Sequence, residues 1–192
     1  KTSQARVADL CCGVGFSTLA LRKAFPDAET VIGVDTSIEM ISMAKFMSLH
    51  LAFLKPIVTF FSERVAKICE GTAATFKIGN AENTLLPAKS FDLVTIMYAF
   101  HEAPREGRER ILQEAYRLLQ PGGMVAVLDI STEYTPSRGM LAGEPYVLEY
   151  QKNIHSQMRS FRGFDRVTYK TIVPSHVGMW LCRKSGSGTW SQ

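Results

Sequence analysis

The most informative segment of the sequence is Val7–Leu21, "VADLCCGVGFSTLAL", near the start of the chain. A short apolar run ends in an acidic residue, and two cysteines and two glycines then separate it from a helix-like run. Three interpretations compete for this pattern: a buried redox pair, a fragment of a metal site, or a loop shaped to hold a nucleotide-like cofactor. The rest of the sequence decides among them.

Strand-like and helix-like patterns alternate along the chain. The predicted strands are Arg6–Leu10, Thr30–Asp35, Ala74–Gly79, Phe91–Tyr98, Met124–Ile130, Arg166–Val173 and Gly178–Arg183. The predicted helices are Phe16–Phe25, Thr36–His50 with a Thr36/Glu39 capping box, Ile57–Glu70, Arg105–Leu119 and Pro145–Arg159, with "QPGG" ending the fourth and a loop before the fifth. This alternation predicts an α/β protein with a mainly parallel sheet that is covered by helices on both faces.

The ligand-binding chemistry is expected where the first two strands end, because ligands of parallel sheets bind at the carboxyl ends of strands. Asp9 ends the first strand, and Gly13 and Gly15 let the backbone approach a ligand without a Cβ in the way. Asp35 ends the second strand about 20 residues later, where a carboxylate can accept both hydroxyls of a ribose. The alternative for Asp35 is an ordinary helix-capping role.

The four cysteines give no framework for a disulfide or a metal. Cys11 and Cys12 are adjacent and cannot easily bridge each other, and Cys69 and Cys182 are far apart in the sequence. The sequence has no C-x-x-C pair and no Cys/His cluster with zinc spacing. We therefore predict reduced thiols, no metal site and an intracellular location, cytoplasmic or organellar.

Size and composition exclude several classes of protein. With 192 residues, 46% of them hydrophobic and 21% charged, the chain fits one globular domain, predicted over 1–184 with a flexible tail at 185–192. The net charge of +4 is spread along the chain, which does not favour nucleic-acid binding, and no apolar run reaches the length of a membrane span. Because the chain begins with Lys1, we expect either a missing upstream segment or a removed targeting peptide.

Four stretches, taken in order and spacing, resemble a known family. They are "DLCCGVGFSTLAL", "VIGVDTS", "GNAENTLLPAKSFDLVTIMYAFHE" and "LLQPGGMVAVLDI". Together they resemble the successive motifs of class I S-adenosylmethionine-dependent methyltransferases, above all the subgroup named after ubiquinone and menaquinone biosynthesis C-methyltransferases. The resemblance covers roughly Val7–Ser131. It implies a doubly wound, seven-stranded, mainly parallel sheet with an antiparallel last strand, S-adenosylmethionine as cofactor, and a small-molecule substrate.

The resemblance also assigns parts of the cofactor to residues of this chain. Asp9, Cys11, Gly13 and Gly15 would face the methionine part; Asp35 would hold the ribose, with Thr36 and Ser37 beside it; Met40, Asn80, Ala81 and Glu82 would lie along the adenine; and Tyr98 would line the reacting centre. Two positions depart from the family pattern. Cys11 replaces a usual glycine, which we expect to require a negative φ, and Asn80 replaces a usual aspartate but keeps a side-chain oxygen that can accept a hydrogen bond.

The segment Tyr98–Glu102 after the fourth strand is implied to line the reacting centre. His101 and Glu102 are the candidate catalytic residues beside Tyr98, since a general base is needed if the acceptor loses a proton during transfer. The alternative is a structural hydrogen-bonding role for His101. The acceptor stays open among a quinone-like carbon, a phenolic oxygen and a thioether sulfur.

Two other functions compete with methyl transfer. A nicotinamide-dependent dehydrogenase also uses a glycine loop and a ribose acid, but it is expected to carry G-x-G-x-x-G, and Phe16–Thr18 supplies no third glycine. A non-catalytic subunit that binds S-adenosylmethionine would share the cofactor motifs and transfer nothing.

The segment 46–71 is longer than one connecting helix requires and is predicted to be a lid, an oligomer surface or extra core.

Overall fold

A computed structural model describes residues 4–53 and 74–186 of the chain. The chain divides into two compact units, Lys1–Thr84 and Leu85–Gln192, called the N-terminal and C-terminal units below. The predicted helix Ile57–Glu70 lies outside the described residues, as does most of the 46–71 segment. The single domain predicted for 1–184 and the flexible tail predicted for 185–192 stay predictions.

The described residues of the N-terminal unit form a parallel three-stranded sheet with two helices. Its elements are β1 (Arg6–Leu10), α1 (Phe16–Ala24), β2 (Thr30–Asp35), α2 (Ile38–Phe53) and β3 (Thr75–Ile78). The strand order is β3-β2-β1, with Ala8 opposite Ile32 and Ile32 opposite Thr75. Because all three strands are parallel, Leu10, Asp35 and Ile78 end at the same edge of this sheet.

Close packing holds the glycine loop against the rest of the N-terminal unit. Cys12, Ile41, Ala44, Ala74 and Phe76 form one buried apolar cluster. Gly15 lies against it with φ at +86°, and a Cβ there would meet Phe76 Cε1 at 2.6 Å and Ala44 Cβ at 2.9 Å. Gly13 also has a positive φ, +52°, but a Cβ there would meet no atom within 4 Å. Both the positive φ and the close packing therefore favour glycine at position 15, whereas only the positive φ favours it at position 13.

The C-terminal unit is a mixed four-stranded sheet with three helices. Its elements are β4 (Phe91–Met97), α3 (Arg105–Leu118), β5 (Leu119–Ile130), α4 (Arg138–Gly143), α5 (Val147–Ser160), β6 (Phe164–Val173) and β7 (Val177–Lys184). The strand order is β4-β5-β7-β6. Strand β5 is parallel to β4 and antiparallel to β7, and β6 pairs with β7 as an antiparallel hairpin.

The predicted sheet is confirmed in strand number and direction. Three strands in one unit and four in the other make seven, and the last strand, β7, is antiparallel to its neighbour β5. The core strands contain residues with no exposed surface, including Val7, Leu10, Val34, Val94 and Ile96. None of the helices described here combines the length and apolar character that crossing a membrane requires.

Three local predictions need correction. Ser37 caps α2 in place of Thr36, because its Oγ accepts the Met40 N–H at 3.1 Å. Strand β5 begins at Leu119 and not at Met124, since Leu119 pairs with Phe91 and a register shift follows before Leu93 pairs with Met124. Helix α4 forms where a loop was expected, and it has no buried residue, so no apolar periodicity marked it in the sequence.

We expect Gly15→Ala to destabilise the protein more than Gly13→Ala. A positive φ makes alanine unfavourable by about 1–2 kcal/mol at either position. At Gly15 the added methyl group also overlaps Phe76 and Ala44, which adds about 1–3 kcal/mol of overpacking. Denaturant unfolding of both variants measures the difference, and equal losses of stability would contradict this account.

Candidate active site

The loop after β1 is fixed to the end of β2 by hydrogen bonds. The Cys12 N–H donates to the Val34 carbonyl at 3.1 Å, and the Gly13 N–H donates to Asp35 Oδ2 at 2.8 Å. The other oxygen of that carboxylate, Oδ1, accepts the Ser37 N–H at 3.0 Å. The structure thus brings Gly13, Asp35 and Ser37 together, as the cofactor assignment requires.

Asp35 has acceptor capacity beyond these two contacts. A carboxylate oxygen carries two lone pairs, and each Asp35 oxygen accepts one backbone hydrogen bond. The side chain is half-buried at the carboxyl end of β2. One acceptor position therefore remains on each oxygen, on a carboxylate that the backbone holds in one orientation.

Asp9 lies behind the loop, where it has no exposed surface. Its Oδ2 accepts the hydroxyls of Ser17 at 2.6 Å and Thr18 at 2.7 Å, both in the first turn of α1. The residue before the helix, Gly15, is its N-cap and has no side chain that could cap it. Asp9 therefore positions the start of α1, which is a less direct role than facing the cofactor.

The backbone expectation for Cys11 is wrong. Its φ is +58°, in the left-handed region, where we expected that a cysteine would need a negative φ. Cys11 therefore keeps the left-handed backbone conformation that glycine adopts easily. A residue with a side chain adopts this conformation only at a cost in conformational energy. Its neighbour Cys12 is buried, and burial, with the charges of Asp9 and Asp35, raises the pKa of the Cys12 thiol to about 12.

The segment after β3 forms a tight turn. One group that was predicted to contact the adenine forms a hydrogen bond within this turn instead. Asn80 Oδ1 accepts the Glu82 N–H at 2.9 Å, and the Asn80 carbonyl accepts the Asn83 N–H at 2.9 Å. Ala81 is buried. The Glu82 N–H is therefore engaged within the turn, while Asn80 Oδ1 keeps one lone pair.

The remaining cofactor candidates, Thr36 and Met40, are exposed near the start of α2. Met40 is 43% exposed and belongs to a set of exposed apolar side chains along the helix. Thr36 precedes the capping residue Ser37. Both lie beside Asp35 in the sequence, and no contact to a ligand tests their assignment.

In the C-terminal unit, the loop after β4 starts with a strained residue. Tyr98 has φ at +54°, and its N–H donates to the Leu128 carbonyl of β5 at 2.8 Å. A bulky residue with this φ is uncommon and costs energy that the surrounding structure must supply. The turn leaves the Tyr98 side chain 48% exposed and directs the chain towards Phe100 and His101.

Asp129, near the end of β5, fixes that loop, and sequence reasoning missed it. The carboxylate has no exposed surface. Its Oδ2 accepts the N–H groups of Phe100 at 2.8 Å and His101 at 3.3 Å, and its Oδ1 accepts the Ile130 N–H at 2.7 Å and contacts His101 Nδ1 at 2.6 Å. The signal was present: an acidic residue within the apolar strand "MVAVLDI".

His101 is buried between carboxylates. Its side chain is 7% exposed, and its Nε2 lies 3.4 Å from Glu144 Oε2 and 3.8 Å from Glu102 Oε1. Burial by itself would lower the pKa of His101, but the hydrogen bond and charge of Asp129, together with Glu102 and Glu144, raise it above its usual range. The structure thus groups His101 and Glu102 as expected and adds Glu144 and Asp129.

A buried arginine holds the same loop from the other side. Arg108 of α3 has no exposed surface, and its Nη1 donates to the carbonyls of Ala103 at 2.7 Å and Phe100 at 3.5 Å. Its Nε donates to Gln157 Oε1 at 2.9 Å and its Nη2 to Glu149 Oε2 at 2.6 Å, both on α5. The loop after β4 is therefore held between Asp129 and Arg108.

A family model described as a methyltransferase domain matches residues 8–127, more than half of the chain. The chain belongs to this methyltransferase family. The matched range contains the glycine loop, Asp35, the turn at Asn80 and the His101 loop. The resemblance to class I methyltransferases that the motifs carry is confirmed.

Similar proteins carry names that mention quinone substrates. Demethylmenaquinone methyltransferase from Lactiplantibacillus plantarum is 31% identical over 134 residues, which cover 70% of this chain and 48% of the relative. 2-Phytyl-1,4-naphtoquinone methyltransferase from Synechococcus elongatus is 28% identical over 131 residues, which cover 68% of this chain and 48% of the relative. The chain thus spans about half the length of these relatives.

A comparison with solved structures shows that the chain has the expected fold. A SAM-dependent methyltransferase from Methanosarcina mazei matches with a TM-score of 0.63 at 17% identity, covering 97% of this chain and 95% of the other. At this identity the likeness carries the fold alone. It confirms the Rossmann-like methyltransferase fold predicted from the sequence.

We expect the ion pair between Arg108 and Glu149 to make the stability of this protein pH-dependent. Burial would raise the pKa of Glu149, but hydrogen bonds from Arg108 and Asn153 and the charges of Arg108 and Arg105 lower it. A lowered folded-state pKa means that the stabilisation is present above the unfolded value, about 4.3, and is lost as the pH falls through the folded value. Glu149→Gln should lose about 1–3 kcal/mol at pH 7.

Unfolding of wild type and Glu149→Gln from pH 7 to pH 3 checks this expectation. The difference between the two proteins should shrink towards zero in the acidic part of the range. Glu109→Gln, an exposed substitution on α3 with the same charge change, is the matched control. A difference that stays constant with pH would show that Glu149 acts through packing and not through its charge.

Proposed function

We propose that this chain binds S-adenosylmethionine through its N-terminal unit and transfers the methyl group to a small-molecule acceptor. The observation that carries the proposal is the Asp35 carboxylate, fixed by the N–H groups of Gly13 and Ser37 beside a glycine with open space around it. Family membership supports methyl transfer as the reaction. The contacts of Asp35, Gly13 and Asn80 support the cofactor assignment for these three residues.

The ribose would be held by Asp35. Its carboxylate has one acceptor position left on each oxygen, which fits the two adjacent hydroxyl groups of a ribose. The backbone N–H donors orient the carboxylate before any ligand arrives, so little ordering is needed on binding. Hydrogen bonds to a charged acceptor are among the stronger ones in proteins.

The methionine part would lie against Gly13. A Cβ at this position would enter space that no described atom occupies within 4 Å, so a side chain here would take up room that a ligand can use. The loop leads into α1, whose amino-terminal end favours a negatively charged group such as a carboxylate. Asp9 supports this arrangement from behind by holding Ser17 and Thr18.

The adenine would lie along the turn after β3. Asn80 Oδ1 has one free lone pair after it accepts the Glu82 N–H, and this lone pair suits the exocyclic amine of adenine. Met40 on α2, which is 43% exposed, offers an apolar surface for a ring. The proposal assigns Glu82 to the turn itself, because its N–H is already engaged.

S-adenosylmethionine supplies a methyl group that is already activated on a sulfonium sulfur. The protein therefore mainly needs to bind, orient and exclude water, which are tasks for the fixed carboxylate and the glycine loop. The acceptor class with the most support is a quinone-like ring, because relatives are named for demethylmenaquinone and phytyl naphtoquinone. The phenolic oxygen and the thioether sulfur stay alternatives.

We expect Asp35→Ala to weaken the binding of S-adenosylmethionine by about 1.5–3 kcal/mol, the range for hydrogen bonds to charged groups. This corresponds to a dissociation constant raised by about 10- to 150-fold. Isothermal titration calorimetry on the folded variant gives the value. Asp27→Ala, an exposed substitution in the same unit, is the matched control and should bind as the wild type does. Unchanged affinity in Asp35→Ala would refute the ribose assignment.

Asn80→Asp should bind S-adenosylmethionine as tightly as the wild type or more tightly. A carboxylate at this position still accepts the Glu82 N–H and offers a charged acceptor to the adenine amine. Calorimetry on the variant measures the change in affinity. A large loss of affinity with the fold intact would show that residue 80 does not face the adenine amine.

A screen of candidate acceptors with detection of the methylated product by mass separates the competing functions. The proposal expects a mass increase of one methyl group on at least one quinone-like or phenolic acceptor. Cofactor binding without transfer to any acceptor would favour the non-catalytic subunit. Hydride transfer with a nicotinamide cofactor would favour the dehydrogenase, which family membership does not support.

A further inference from the structure

One histidine and two glutamates form a cluster of titratable side chains in the C-terminal unit, and the atoms that face one another in it are not joined by hydrogen bonds. His101 Nε2 lies 3.4 Å from Glu144 Oε2 and 3.8 Å from Glu102 Oε1. All three potential ligand atoms lie within 4.8 Å of one another. Asp129, which is fully buried, contacts the opposite ring nitrogen at 2.6 Å. Three carboxylates thus surround one imidazole ring.

The imidazole is held with one nitrogen directed into this cluster. Asp129 Oδ1 accepts a hydrogen bond from the Nδ1–H group, so the neutral ring carries its lone pair on Nε2. The His101 side chain is 7% exposed, and its Nε2 makes ionic contacts to the two glutamates but no hydrogen bond among the described residues. A carboxylate that orients a histidine from behind is the usual arrangement of metal-bound histidines.

Glu144 supplies a second unsatisfied atom at the same place. Its Oε2 is buried and has no hydrogen-bond partner among the described residues. The Glu144 N–H caps α4 by donating to the Met140 carbonyl at 2.8 Å, which fixes the backbone from which this side chain extends. A buried carboxylate oxygen without a donor is unfavourable unless a cation reaches it.

No basic side chain provides that cation. Within the part of the chain that the structure describes, neither lysine nor arginine forms an ion pair with Glu102, Glu144 or Asp129. The arginine of this region, Arg108, pairs with Glu149 instead. A proton on His101 or a bound cation would therefore reduce the repulsion among the three carboxylates.

We propose that His101, Glu102 and Glu144 bind a divalent transition-metal ion. Two ligand atoms that are each about 2.1 Å from a metal at a tetrahedral angle are about 3.4 Å apart, and His101 Nε2 and Glu144 Oε2 are 3.4 Å apart. The exposed Glu102 supplies the third ligand atom, which lies within 4.8 Å of the other two and has to move closer to them to bind the same ion. Mixed imidazole and carboxylate ligands favour zinc or a similar transition metal over magnesium and calcium, which prefer oxygen ligands.

Three protein ligands leave a coordination position open, as in catalytic metal sites and unlike closed structural ones. The lone pair of Nε2 cannot bind a metal and accept a proton at the same time. Under this proposal, His101 is a metal ligand in place of the general base suggested by the sequence. The site requires no property of the N-terminal unit, so it can be tested apart from cofactor binding.

Cobalt(II) is the probe for this test, because its visible absorption bands report both binding and coordination geometry. Chelator-treated full-length chain is titrated with cobalt(II), and zinc(II) is then added as a competitor. We expect one equivalent of cobalt(II) to bind with bands of four- or five-coordinate geometry, and zinc(II) to displace it. S-adenosylmethionine affinity is measured in the same samples by calorimetry.

Glu144→Gln and Glu102→Gln should each weaken cobalt(II) binding at least 10-fold, because each removes one ligand. Glu109→Gln, with the same charge change on an exposed face of α3, is the matched control and should bind cobalt(II) like the wild type. Absence of the bands in wild type, or equal affinity in wild type and both ligand variants, would overturn the proposal. Loss of S-adenosylmethionine binding alone would count against the proposed function and not against the metal site.

Discussion

A fully buried carboxylate, that of Asp129, is the constraint on which the organisation of the C-terminal unit depends. It accepts hydrogen bonds from three backbone N–H groups and from the His101 ring. A carboxylate without exposed surface is strongly destabilising unless such donors replace its water. The loop after β4 must therefore bring its N–H groups to Asp129, and this requirement accounts for the strained turn at Tyr98.

The N-terminal unit uses the same physical device at its own strand ends. Asp35 accepts N–H groups from the glycine loop and from the start of α2, while Asp9 accepts two hydroxyls from α1. The two acids differ in exposure, which separates their roles. Buried Asp9 holds the helix, and half-buried Asp35 keeps acceptor positions for a ligand. The number of hydrogen-bond donors that reach each carboxylate, compared with the number of lone pairs on its oxygens, indicates these roles.

Charge balance distinguishes the two units. Asp35 contacts backbone dipoles and is open to a neutral ligand rich in hydroxyl groups, such as a ribose. The carboxylates around His101 are grouped without a basic partner among the described residues, so they favour a positively charged occupant, either a proton or a metal ion. A proton and a metal ion cannot both occupy His101 Nε2, because each uses the same lone pair.

The sequence by itself determined the alternation of strands and helices, the seven strands and the acids at the ends of β1 and β2, because periodicity and strand-end position are local properties. It missed α4, which has no buried face, and shifted the start of β5, which strand pairing defines. The tertiary structure alone decided the partners of His101. Asp129 and Glu144 lie 28 and 43 positions away in the sequence, and no local pattern indicates that folding brings these carboxylates to one imidazole ring.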